Sequence, residues 1–123
     1  MLKKRLYGMK QNLPFLKHIL IEIEFLLDKT KDIEFNDFIS DALLTRACAR
    51  SFEIIGEAVK NLSSDIRKNH REVDWKRIAG MRDKLIHYYF GVNYDVLWYV
   101  IKNRLPDLKE KIQAIIRNLE EEN

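Results

Sequence analysis

Only four glycines and two prolines interrupt the 123 residues. Strands and tight turns draw on such residues for positive φ angles and fixed corners, so their scarcity argues against a β-rich fold. Cysteine occurs once, as Cys48, which excludes an intramolecular disulfide. No apolar run approaches the roughly 18 residues needed to span a bilayer. The opening Met1-Leu2-Lys3-Lys4-Arg5-Leu6 is basic but lacks an apolar segment and a small-residue cleavage site behind it, so no export signal is expected and the cytoplasm is the expected address. The three histidines, His18, His70 and His87, stand far apart without the His, Cys or carboxylate spacing of a zinc site. His18 and His70 read as surface or boundary residues, and no cofactor is expected.

What is present is a mixture of 46% hydrophobic and 33% charged residues, the composition of a helical domain that buries its own core. We expect one domain over residues 1–123. The net charge of +3 is small, but its distribution is uneven. From Arg67 to Lys84 seven basic residues (Arg67, Lys68, Arg71, Lys76, Arg77, Arg82, Lys84) stand against Glu72, Asp74 and Asp83, a net of +4. Such a cluster suits a polyanionic partner such as nucleic acid, although by charge alone a solvated helix face is the commoner reason for it.

Apolar spacing sets the elements. Asn12 is placed to cap a first helix with Pro14 in its opening turn, and Leu13, Leu16, Leu20, Ile23 and Leu27 form its stripe, widened by Phe15, Ile19 and Leu26. Asn36 or Asp37 is placed to cap a second and longest helix reaching about Asn61, with Phe38, Ala42, Leu43, Ala47, Cys48, Phe52, Ile55, Ala58, Val59 and Leu62 on its buried face. Gly56, unfavourable inside a helix by about 1 kcal/mol against alanine, predicts a close helix crossing there. Ser63 and Ser64 end that helix and cap a short one. Asp74 caps the next, which Gly80 allows to bend or to cross a neighbour tightly and which Gly91 stops. Asn93 caps a further helix, and Pro106 starts the last. The expected fold is all-α, an up-down four-helix bundle with short additional helices.

Chemistry concentrates in Arg82-Asp83-Lys84-Leu85-Ile86-His87-Tyr88-Tyr89. At about 100° per residue, Asp83 and His87 share a helix face, and Tyr89 falls in line with Arg82. A carboxylate four residues from an imidazole can fix its tautomer and raise its basicity. Arginine supplies a planar fork of donors for phosphate oxygens. Arg82 and His87 lie about 140° apart around the axis, so one protomer presents an incomplete site. RNA cleavage by its own 2′-hydroxyl needs a base, an acid and a cation for the phosphorane. Two opposed copies of the helix would supply two histidines and two arginines, which is a reason to expect a homodimer. The same residues could instead satisfy one another in a helical core, as Arg–Asp pairs often do.

The run Trp75-Lys76-Arg77-Ile78-Ala79-Gly80-Met81-Arg82-Asp83-Lys84-Leu85-Ile86-His87-Tyr88-Tyr89, followed by Gly91-Val92-Asn93 and Val96-Leu97-Trp98, resembles the HepT-like branch of the HEPN superfamily. So do Phe52-Glu53-Ile54-Ile55-Gly56-Glu57-Ala58, His18-Ile19-Leu20 and Leu105-Pro106-Asp107-Leu108. The resemblance covers nearly the whole chain, and its core is Arg-x4-His-x-Tyr at Arg82, His87 and Tyr89. It implies a HEPN-type bundle and the toxin of a type II toxin–antitoxin pair, a metal-independent endoribonuclease acting as a homodimer on RNA. In that role His87 is the general acid/base, Arg82 binds phosphate and transition state, and Asp83 orients them. The implied partner is a minimal nucleotidyltransferase antitoxin that adds AMP to Tyr89; Tyr88 is its off-register neighbour. A different reading is a non-catalytic helical subunit that binds nucleotide, RNA or a nucleotidyltransferase.

Overall fold

The computed structural model describes residues 9–87 and 93–121, without the side chains of residues 85–87. Among the described residues there is no strand, and the helices are α1 (Leu13–Thr30), α2 (Phe35–Ser40), α3 (Ala42–Lys60), α4 (Ser64–Asn69), α5 (Trp75–His87), α6 (Tyr94–Asn103) and α7 (Leu105–Glu121). The all-α, HEPN-type class expected from the sequence is what they form. Helix α3 packs on α1 at one side and α5 at the other, α1 packs in turn on α7, and α6 lies against α7. No helix among the described residues is long and apolar enough to cross a membrane.

The core follows from the apolar stripes. Leu16, Ile19, Ile23 and Leu26 of α1 are buried against Cys48, Phe52, Ile55 and Val59 of α3 and Ile112, Ile115 and Leu119 of α7. Each such side chain contributes roughly 1.5–3 kcal/mol by leaving water. On α1 the stripe is centred on Ile19 and Leu26, while Leu13, Leu20 and Leu27 are half-buried at its edge. Phe35 and Phe38 of α2 stack edgewise or tilted on Trp98 at 5.9 and 5.0 Å, and Phe38 meets Tyr94 at 6.2 Å. Lys102 closes this corner, its ammonium 4.6 Å over the Trp98 ring and donating to the Thr30 carbonyl.

Several expected caps are in place. Asp74 Oδ1 accepts from the Arg77 amide at 3.1 Å, Asn93 Oδ1 from Val96 at 3.3 Å, and Ser63 Oγ from Ile66 at 3.4 Å. Three expectations are corrected. Asn12 does not cap α1; its amide is buried, donating to the Met9 carbonyl and Ser63 Oγ and accepting from the Ser63 amide at 2.8 Å, so it ties the start of α1 to the α3–α4 junction. The long helix from Asn36 is two helices. Asp41 is extended (φ −99°, ψ 96°) and accepts from the Leu44 amide at 2.9 Å, starting α3 afresh. Ala42 and Leu43, expected on the buried face, are exposed, Leu43 by 81%: at about 100° per residue Leu43 lies roughly 140° from Cys48 and 180° from Phe52, nearly in line with the exposed Arg50. Gly80 neither bends α5 nor meets a neighbour: the helix runs unbroken from Trp75 to His87, and a Cβ at Gly80 would find nothing within 4 Å. The stop expected at Gly91 lies outside the described residues.

Candidate functional site

The site is built where α3 and α5 cross. Gly56 is the reason they can come so close. A Cβ placed there would fall well inside 3.0 Å of Arg82 Cβ, with Arg82 Cγ at 3.1 Å and Cα at 3.3 Å. The missing side chain of Gly56 is therefore the seat of the Arg82 stem, as a close crossing at Gly56 leads one to expect.

From that seat the guanidinium is held by two carboxylates. Glu57, the residue after the glycine, takes Arg82 Nε at 3.1 Å, and Asp83 Oδ1 takes an Nη at 3.3 Å. Asp83 Oδ1 is in turn bound by Lys60 Nζ at 2.5 Å. The Lys60 ammonium chiefly, against partial desolvation and with help from Arg82, holds the Asp83 carboxyl below its usual value, so it stays ionised and acceptor-only near neutral pH. Two cations and two carboxylates leave this network neutral as a whole. Of the five guanidinium N–H donors, two are engaged with described residues, and the side chain is 30% exposed. The three other donors can meet a phosphate.

Asp83 thus positions Arg82. Its expected contact with His87 falls on a side chain outside the described residues; the backbone of α5 reaches His87 without a break, so the 140° offset from Arg82 stands. Tyr88 and Tyr89 are outside the described residues.

Sequence reading passed over two members of the network. Glu57 was visible only as part of a resemblance, and Lys60 not at all. Their signal is the row Gly56, Glu57, Lys60, which sets one carboxylate and one ammonium at a helical turn's spacing beside the glycine of the crossing. His18, exposed on α1 as expected, shares with Arg82 a groove of about 370 Å³ that also takes in Phe15, Arg50 and Glu53. Cys48 is buried beneath α3, and burial, with Asp41 adding to it, pushes its thiol up to about 11; it is a core residue. Among the described residues no group of three or more His, Cys, Asp or Glu side chains could hold a metal ion.

Comparison with known proteins adds to this geometry. Residues 19–115 match the family described as "Ribonuclease HepT-like". A protein named "Putative RNase" from Caldanaerobacter subterraneus subsp. tengcongensis is 54% identical over 109 residues, 89% of this chain and 97% of the relative. Another "Putative RNase", from Methanocaldococcus jannaschii, is 42% identical over 109 residues, 89% and 90% of the two chains. A "Probable ribonuclease HepT" from Thermococcus cleftensis is 44% identical over 101 residues, 82% and 92%. No solved structure gives a significant match.

Proposed function

The chain belongs to the ribonuclease HepT-like family, and from that premise we propose that it is a metal-independent endoribonuclease, the toxin of a type II toxin–antitoxin pair, acting in the cytoplasm as a homodimer. The observation that carries the reading is the arginine. Arg82 is seated by Gly56, clamped by Glu57 and Asp83, and keeps donors that no described residue takes, on the same unbroken helix as His87.

The chemistry follows from the substrate's own 2′-hydroxyl. One His87 accepts the hydroxyl proton as the 2′-oxygen attacks phosphorus. Negative charge grows on the non-bridging oxygens, where the free Arg82 donors meet it. The second His87 of the dimer, protonated, gives its proton to the departing 5′-oxygen. The products are a 2′,3′-cyclic phosphate and a 5′-hydroxyl, with proton count unchanged. Asp83 and Glu57 keep the guanidinium in one orientation, which removes much of its ordering cost. Silencing in this reading comes from a minimal nucleotidyltransferase antitoxin that adds AMP to Tyr89, bringing a phosphodiester charge and bulk to the face that must admit RNA.

The test is cleavage of RNA by the purified protein in EDTA. His87→Ala should lower the rate about 10²–10⁴-fold and Arg82→Ala about 10²–10³-fold, with helicity retained. Undiminished cleavage by His87→Ala would overturn the assignment. Co-expression with the nucleotidyltransferase should add AMP to the peptide holding Tyr89, and Tyr89→Phe should abolish it. The neutral Arg82 network is also what a non-catalytic partner subunit would keep; wild-type protein that binds the nucleotidyltransferase but cuts no RNA would favour that role.

A further inference from the structure

Two grooves flank α5, and their charges differ. In the groove shared by His18 and Arg82 each arginine already has a carboxylate: Arg50 meets Glu53 at 3.0 Å and Arg82 meets Glu57 at 3.1 Å. The groove on the α4 side is larger, about 910 Å³, and its lining includes Arg67, Arg71, Lys76, Gly80 and Asp83. Here Lys60, Arg67, Arg71 and Lys76 outnumber Glu72, Asp74 and Asp83 by one. Glu72 pairs with His70 at 3.1 Å, Asp74 caps α5, and Asp83 holds Lys60 and Arg82. Arg67, Arg71 and Lys76 have no ion-pair partner among the described residues. Arg67 gives one Nη to the Leu62 carbonyl at 3.0 Å, and its buried Nε finds no acceptor.

We propose that this α4-side groove binds the sugar–phosphate chain of single-stranded RNA, delivering the strand to Arg82. The proposal rests on the ribonuclease reading and adds the path of its substrate. A lining with one more cation than carboxylates, in which three of the cations have no carboxylate partner among the described residues, creates a potential that favours a polyanion over a neutral ligand. Asp83 is part of the channel's lining, and its neighbour in sequence and in contact is Arg82. Gly80 forms part of the wall, and with nothing within 4 Å of its missing Cβ the wall there is bare backbone that a ribose and phosphate can approach. Of the seven basic residues between Arg67 and Lys84, Arg67, Arg71 and Lys76 line this groove and Arg82 lines the other.

The experiment measures binding of a short single-stranded 2′-O-methyl RNA, which cannot be cut, to the full chain by fluorescence anisotropy over a range of salt. Each phosphate contact on a single strand contributes about 0.7 to the slope of log K against log salt. The double variant Arg71→Gln/Lys76→Gln should therefore flatten the slope by about 1.4, so that raising salt from ~50 to ~200 mM costs about sevenfold less affinity than in wild type. Gly80→Gln, which leaves the charge unchanged, should weaken binding by filling the channel. Arg117→Gln, exposed on α7 away from the groove, should keep the wild-type slope. An unchanged slope in the double variant together with full affinity in Gly80→Gln would overturn the proposal. So would variants that bind RNA normally but lose the nucleotidyltransferase, which would make the groove a protein-docking face. Because the probe is uncleavable, binding is read whether or not the protein cuts RNA, and failure of the nuclease reading shows separately in the EDTA assay.

Discussion

Replacing Gly56 with alanine adds one methyl group at the point where α3 and α5 touch, and the consequences can be worked out from the contact. The new Cβ would lie well inside 3.0 Å of Arg82 Cβ and 3.3 Å from Arg82 Cα. Neither atom is the free end of a side chain, so a rotamer change cannot relieve the overlap. The helices must separate by more than ~1 Å to reach ordinary carbon–carbon contact near 3.5–4.0 Å. Overpacking of this kind costs about 1–3 kcal/mol, and a backbone-anchored overlap belongs at the upper end. Alanine returns about 1 kcal/mol through helix propensity. The net expectation is destabilisation by about 2 kcal/mol, or a fall in Tm of roughly 8 °C for a chain of this size.

Gly80→Ala is the matched comparison. It gains the same propensity with nothing to strike, so it should stabilise by about 0.5–1 kcal/mol and raise Tm by a few degrees. Thermal unfolding followed by circular dichroism measures both. Activity supplies a second readout. Separation of the helices carries Arg82 away from its position, and a misplacement near 1 Å costs about 10²-fold in rate. If both alanine variants shift Tm in the same direction, or folded Gly56→Ala cleaves RNA at the wild-type rate, the steric account of the crossing is wrong.

The titrations give two further predictions. Lys60→Met should raise the Asp83 pKa towards its ordinary value, as read by NMR of the carboxyl carbon. Since the folded value is depressed, the stabilisation it contributes is present above the ordinary carboxylate pKa and lost as pH falls through the folded one, so the variant should show a shallower acid limb; an unmoved Asp83 titration would remove Lys60 from the network. Cys48 behaves oppositely. Its folded value of about 11 lies above the ordinary thiol value of 9.0, so stability is unaffected below ~9 and declines by up to about 1.4 kcal/mol per pH unit as pH rises from there towards 11. Urea unfolding across that range should show the decline in wild type and lose it in Cys48→Ala.

Much of the helical layout was legible because it rests on local chemistry. Asp74, Ser63 and Asn93 cap as short polar side chains do, and Ile23, Leu26, Ile112 and Ile115 keep the period that the core demands. What was not legible depended on residues distant in sequence. Asn12 looks like a cap, yet it is drawn instead to Ser63, 51 positions away. The apolar period across residues 38–62 hides the break at Asp41, since one aspartate's cap to Leu44 outweighs a pattern that would otherwise run on. Gly56 announced a close crossing but not its partner, and only the fold shows that the partner is the stem of Arg82. Gly80 carried the same signal and marks bare backbone facing open space.

In the proposed nuclease, the arrangement of charge would separate holding RNA from reacting with it. Arg82 is compensated by Glu57 and Asp83, so its attraction for a resting phosphodiester, which carries a single charge, is modest. An arginine left bare would bind substrate and transition state more equally, lowering KM with little gain in kcat. With its field largely cancelled and its orientation fixed, Arg82 would gain most when a second negative charge develops on the phosphorane within reach of the donors it does not spend on described residues. Affinity for the strand would then have to come from cations that are not compensated, and Arg67, Arg71 and Lys76 on the α4 side of the same helix have no ion-pair partner among the described residues. This division makes opposite demands on the two sets. Removing Glu57 should tighten RNA binding while slowing cleavage, because the guanidinium gains net charge and loses its fixed direction; removing the groove cations should weaken binding and its salt dependence. A Glu57→Gln variant that bound RNA no more tightly and cleaved it as fast would show that Arg82 is not tuned by its neighbours.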